Sequence, residues 1–151
     1  MTKIRLDAKL WLLVCDAKKA LLLQNAGDSV YPKLETRHIM EHTLHRSHEI
    51  GSDAPGRAFA SASDRRAAVD EGDPHLEEER GFLRAVAHDM ERRIETGEVD
   101  RLVIVAPPRA LGMLRETAGR QLKKATLAEF PHDYVKLPLY EIEKRLKAQL
   151  G

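Results

Sequence analysis

The chain has one cysteine, Cys15, in 151 residues. No intrachain disulfide can form, which excludes a disulfide-stapled scaffold and fits a reducing compartment. Net charge is also nearly absent: 25 Lys and Arg offset 24 Asp and Glu, leaving +1. A global basic field for gripping nucleic acid is therefore excluded, and any anion recognition has to be local. Long apolar runs are missing too. The run Leu10 to Cys15 ends at Asp16, far short of the ~20 residues a membrane helix needs. Lys3 and Arg5 precede it in the manner of an export signal, but Asp7 and Lys9 interrupt the approach, and the run is too short for the apolar core of such a signal. The expectation is a cytoplasmic chain without membrane contact.

Hydrophobic residues make up 42% and charged residues 32% of the sequence, the balance of a globular chain rather than a disordered one. The length suits a single domain over residues 1–151. The continuous apolar run Leu10–Cys15 predicts a buried central strand. Asp16-Ala17-Lys18-Lys19 follows as a turn, and Ala20–Leu23 predicts a second strand paired with the first as a hairpin. Alternation along the first strand sends Trp11 and Leu13 to one face and Leu12 and Val14 to the other, so both faces need cover. Gly27-Asp28 marks another turn, and Leu34–Met40 predicts a more exposed third strand.

A polar excursion follows around residues 41–73, with few large apolar groups to oppose its conformational entropy, and is expected to be mobile. From Leu76 to Thr96 the spacing of Phe82, Val86, Met90 and Ile94 predicts a long helix. Glu77, Glu78 and Glu79 sit near its start, Arg92 and Arg93 near its end, and Gly97 just past it, as dipole and cap require. Leu102–Ala106 predicts the second buried strand, stopped by Pro107-Pro108. A single helix from about Ala110 to Lys123, a short strand Thr126–Phe130 and a closing helix marked by Leu139, Ile142 and Leu146 complete the chain. The expected fold class is α/β: an antiparallel meander followed by βαβ crossovers, giving a mixed sheet with helices packed on it.

The segment Leu10-Trp11-Leu12-Leu13-Val14-Cys15-Asp16, the loop Pro55-Gly56-Arg57-Ala58-Phe59, the helix around Phe82, and the block from Leu102 through Pro107-Pro108-Arg109-Ala110-Leu111-Gly112 to Arg115 resemble the bacterial host-attachment family, proteins required for attachment to host cells. Trp11, Asp16, Phe59, Phe82, Pro107, Pro108, Leu111 and Gly112 carry that resemblance. It implies a role linked to attachment, which is a phenotype rather than a chemistry. More distantly, the order of elements resembles the middle domain of archaeo-eukaryotic peptide-chain release factors, with a ribonuclease-H-like order of strands. Residues 56–66 occupy the place of the Gly-Gly-Gln loop of those factors. No Gly-Gly-Gln occurs in this chain, so peptidyl-tRNA hydrolysis by that route is not expected.

Candidate sites divide by chemistry. Gly56, Arg57, Arg65 and Arg66 form a locally positive loop in which glycine lets backbone approach and arginines can grip phosphate. Arg109 and Arg115 follow the second buried strand near a helix start, where anions are favoured. Against this, Pro107 and Pro108 remove N–H donors, and both arginines also read as salt-bridging surface groups. His38, His42, His45 and His48 are spaced four, three and three residues apart, which on a helix places several imidazoles on one side. They equally suit a polar surface segment, and no metal or cofactor is expected. Asp16 ends a strand where ribonuclease-H-like nucleases hold metal, but it also fits a hairpin-turn cap. Cys15 reads as an inert core thiol.

No converging catalytic set is visible. The expected function is a non-enzymatic binding module contacting ribosome or RNA, with attachment an indirect consequence. The alternatives are a metal- or loop-dependent hydrolase using Asp16 and the His38–His48 segment, and a protein–protein scaffold. The oligomeric state is left open.

Overall fold

The fold is that of a computed structural model whose described residues are 5–42 and 74–150. The loop candidates Gly56, Arg57, Phe59, Arg65 and Arg66 lie outside the described residues, as do His45, His48 and most of the expected excursion. The strands are β1 (Trp11–Cys15), β2 (Lys19–Asn25), β3 (Leu34–Glu41), β4 (Leu102–Ala106) and β5 (Thr126–Pro131). The helices are α1 (Pro74–Glu95), α2 (Pro108–Thr117), α3 (Arg120–Ala125) and α4 (Leu139–Leu150). They build a five-stranded mixed sheet of order β3-β2-β1-β4-β5. β1 pairs antiparallel with β2 and parallel with β4, and β4 pairs parallel with β5.

Every residue of β1 and of β4 is buried, as continuous apolar runs require of strands covered on both faces. Trp11 and Leu13 of β1 and Leu102 and Ile104 of β4 face the helices α1, α2 and α3, meeting Phe82, Val86, Met90, Leu111 and Leu114. Leu12 and Val14 of β1 and Val103 and Val105 of β4 face the other way, onto Ile142, Leu146 and Leu150 of α4. The two expected buried strands are thus central, and the molecule is a helix–sheet–helix sandwich. The edge strands β3 and β5 are correspondingly more exposed.

α1 runs as its four-residue apolar spacing predicts. It ends where Gly97 takes φ +89°, a left-handed conformation that glycine adopts without a Cβ clash. The expected single helix from Ala110 to Lys123 is instead two. α2 starts earlier, at Pro108, because proline is preorganised for the first helical position. It then breaks at Ala118, whose backbone is extended (ψ 133°). Glu91 of α1 supplies the cause: its Oε2 accepts the Leu122 N–H at 2.9 Å, capping α3 from a neighbouring helix. Gly119 makes room for that carboxylate, since a Cβ there would lie 2.5 Å from Glu91 Oε2. The signal is tertiary, and helical periodicity alone cannot show it.

Asn25 is the one fully buried polar residue among the described residues. Its Nδ2 donates to the carbonyls of Leu6 (2.9 Å), Asp7 (3.0 Å) and Asp28 (3.3 Å). Its Oδ1 accepts the N–H groups of Gly27 (2.9 Å) and Lys33 (2.8 Å). One carboxamide therefore ties the segment before β1 to the end of β2 and to the β2–β3 loop.

Two stability outcomes follow from these contacts. Asn25→Ala orphans several backbone groups at about 1–3 kcal/mol each, so urea unfolding should show a loss of at least about 2 kcal/mol; a loss below about 0.5 kcal/mol contradicts the hub. Gly119→Ala and Glu91→Ala should each cost about 1 kcal/mol, the value of a cap. The double variant should cost little more than either single one, because both remove the same bond. Additive losses would show that Gly119 does not act through Glu91.

Candidate functional site

The parallel register of β1 and β4 pairs Trp11 with Leu102 and Val14 with Val105. Their carboxyl ends therefore finish side by side, which puts the β1–β2 turn next to the β4–α2 junction. Ligands of open α/β sheets collect at such strand ends. Here they border a cleft of about 290 Å³ lined by Asp16, Ala17, Lys18, Glu79, Pro107, Arg109, Ala110 and Lys136.

Each charged group is positioned by a separate device. Asp16 Oδ1 accepts the N–H groups of Lys18 and Lys19, both at 2.8 Å, and its own N–H donates to the Lys19 carbonyl. The carboxylate is thereby the cap of the hairpin turn, and it presents Lys18 at the turn's tip. Pro107 precedes α2 with no side-chain cap, and Arg109 leaves the first turn of that helix. Arg109 Nη2 lies 2.9 Å from Glu79 Oε1 on α1. The approach is outside hydrogen-bond angles, and that oxygen is buried without a hydrogen-bond partner. Lys136 sits in the β5–α4 connection, anchored by the buried Tyr134 and Val135. The His132 ring stacks on Tyr134 at 5.0 Å, and the Arg145 guanidinium lies 5.6 Å from the same ring's centre. Lys18 and Lys136 are exposed and have no ion-pair partner among the described residues. Three cations thus share one cleft with two carboxylates, one engaged in a turn and the other facing an arginine.

Other candidates are distributed elsewhere. Arg115 lines a different cleft beside β5 and is held by Glu129, its Nε donating at 2.8 Å, so Arg109 and Arg115 do not serve one site. His38 lies in β3, an extended strand, and the helical spacing behind the histidine candidates does not apply to it. Its Nε2 is 2.8 Å from both Glu98 Oε2 and Arg93 Nη1, while the His42 ring meets Phe82 edge-on at 5.9 Å. Arg93 and Phe82 are eleven residues apart on α1, roughly 16 Å along its axis, so these two imidazoles belong to different neighbourhoods. Burial alone would raise the Glu98 carboxyl, but hydrogen bonds from His38 and Arg93 and the charge of Arg93 outweigh it and hold it below the usual range. Among the described residues no group of three or more His, Cys, Asp or Glu is placed to hold a metal.

Of the remaining motif residues, Trp11, Phe82 and Leu111 are core, Pro107 and Pro108 form the β4–α2 junction, and a Cβ on Gly112 would meet nothing within 4 Å. The family profile described as "Protein required for attachment to host cells" matches residues 11–146. No curated protein matches the chain.

Cys15, the residue before Asp16, is fully buried. Burial first, and then the neighbouring Asp16 charge, pushes its thiol up to about 12 from an ordinary 9.0. A raised pKa favours the neutral native form. Its stabilising share is intact below pH 9.0 and is lost as pH rises through about 12. Since the thiolate is the nucleophile, the native protein should resist a thiol-reactive disulfide at pH 8 and react fully once unfolded in urea. Rapid native labelling would show the strand end to be open.

Proposed function

The chain belongs to the family of proteins required for attachment to host cells, and from that premise we propose that it acts as a cytoplasmic, non-enzymatic RNA-contacting module whose effect on attachment is indirect. The observation that carries the reading is the convergence of Lys18, Arg109 and Lys136 on one cleft at the carboxyl ends of β1 and β4. Unpaired lysines beside a strand end suit a polyanion. The engagement of Asp16 in its turn and the isolation of His38 from His42 speak against metal-assisted hydrolysis, which needs acids converging on the ion. No helix among the described residues is long and apolar enough to cross a membrane. Arg57, Arg65 and Arg66, which lie outside the described residues, are proposed on the sequence alone as a second source of phosphate contacts.

Single-stranded RNA binding measured across a salt series tests it. Lys18→Ala with Lys136→Ala should weaken binding and reduce the salt slope by about 0.7 for each phosphate no longer neutralised. Both residues are exposed, so stability should stay within about 0.5 kcal/mol of the parent. A triple Arg57, Arg65 and Arg66 to alanine variant should flatten the slope further. Absence of binding by the parent chain, or equal slopes for parent and variants, overturns the RNA reading and leaves a protein partner as the better one.

A further inference from the structure

We propose that the chain carries a second docking site, separate from the cleft at the ends of β1 and β4: the free edge of β5 and the groove beside it take an acidic segment of a partner protein, bound as an added strand. β5 is the last strand of the sheet and pairs only with β4. Its outer side has no strand partner among the described residues. Such an edge is a template for another chain, and strand addition is a recurring mode of peptide recognition. The two edges of the sheet differ in how they are guarded. Both have a register shift, but on β3 the skipped residue is Arg37, ion-paired with Glu35. On β5 it is Leu127, 39% exposed. The one charge on β5, Glu129, is already met by Arg115, whose Nε donates at 2.8 Å.

The groove gives that edge a place for side chains. It encloses about 420 Å³ between β5 and the helices α2 and α3. Ile104, Leu114 and Leu122, all buried, form its apolar floor, and Ala118, Leu127 and Ala128 line it above. Side chains of an added strand alternate between the two faces of the sheet, so every second one can enter the groove. An apolar side chain there is the favourable choice.

Charge complementarity decides the partner's chemistry. Lys123 lines the groove, and Arg120 and Lys124 share its short helix α3, which has no acidic residue. All three are exposed and have no ion-pair partner among the described residues. The nearby carboxylates are engaged: Glu91 accepts the Leu122 N–H, and Glu129 holds Arg115. An acidic partner therefore meets unopposed positive charge. A nucleic acid would too, but it has no backbone amides to pair with a strand edge. No aromatic side chain lines the groove to serve as the stacking platform that single strands use. A peptide alternating apolar and acidic residues matches edge, floor and rim together.

The test uses the intact chain and a short alternating valine–glutamate peptide, with its valine–lysine counterpart as the control. The glutamate peptide should bind at least about tenfold tighter than the lysine peptide. Lys123→Glu with Lys124→Glu should reverse that preference, and as exposed substitutions they should leave the fold intact. A strand pairs with an edge through alternate residues. N-methylation of one alternate set in the glutamate peptide should therefore abolish binding, while N-methylation of the other set leaves it. Equal effects of the two sets overturn strand addition. Equal binding of the two peptides, or binding of neither, overturns acid recognition. Displacement of the peptide by single-stranded RNA overturns the peptide reading in favour of a nucleic acid. Lys18→Ala with Lys136→Ala should leave peptide binding unchanged; a loss overturns the separateness of the two sites. Failure of RNA binding at the other cleft leaves this proposal standing.

Discussion

Four residue pairs, Trp11 with Leu102 through Val14 with Val105, hold β1 parallel to β4 in the middle of the sheet. A parallel pair cannot be closed by a tight turn. It needs a crossover, and the chain between them includes β2, β3 and the 22-residue helix α1. The pairing therefore dictates that α1 packs on the Trp11 face and that the two strand ends finish together. It also dictates burial: with α1, α2 and α3 on one face and α4 on the other, neither strand can carry a polar side chain within its five residues. Chemistry is displaced to the first residues beyond the strands, which are Asp16 and the Pro107–Arg109 junction.

Two polar contacts then fix what the apolar core leaves loose. Hydrophobic burial is non-directional and does not by itself decide how the segment before β1 enters the sheet. The Asn25 carboxamide does, by donating to Leu6 and Asp7 while accepting from Gly27 and Lys33. On the opposite face, Glu91 does the same for the α2–α3 break. Both are cases in which one side chain satisfies backbone groups that turns and helix ends leave open.

The strands, α1 and α4 are legible in the sequence because their patterns are local: LWLLVC and LVIVA run without a polar residue, and Phe82, Val86 and Met90 recur at helical spacing. The facing of β1 follows from strand alternation alone. Asn25 is not legible, since an asparagine after ALLLQ reads as a turn residue until its partners are known. The break at Ala118-Gly119 is hidden because its cause lies on another helix. Of the cleft, Asp16 and Arg109 stand out in the sequence, one as a turn cap and the other as a strand-end cation. Lys18, Glu79 and Lys136 do not, for in the sequence they read as ordinary charged positions, 61 and 57 residues apart, that only the crossovers bring together. A lysine fixed beside a buried Tyr-Val pair, as Lys136 is, is the one hint that pattern reading offers.

The Arg109–Glu79 pair is the remaining element in the electrostatics of the cleft. Arg109 is largely exposed and Glu79 mostly covered. An ion pair with one exposed partner contributes about 0–1 kcal/mol, and this one lacks hydrogen-bond angles. The guanidinium is therefore held near the cleft without being saturated, since its five N–H donors exceed what one carboxylate oxygen at a poor angle can use. An arginine parked on a carboxylate at a strand end is thus compatible with anion recognition. The pair leaves Lys18 and Lys136 as the cations of the cleft without an ion-pair partner among the described residues.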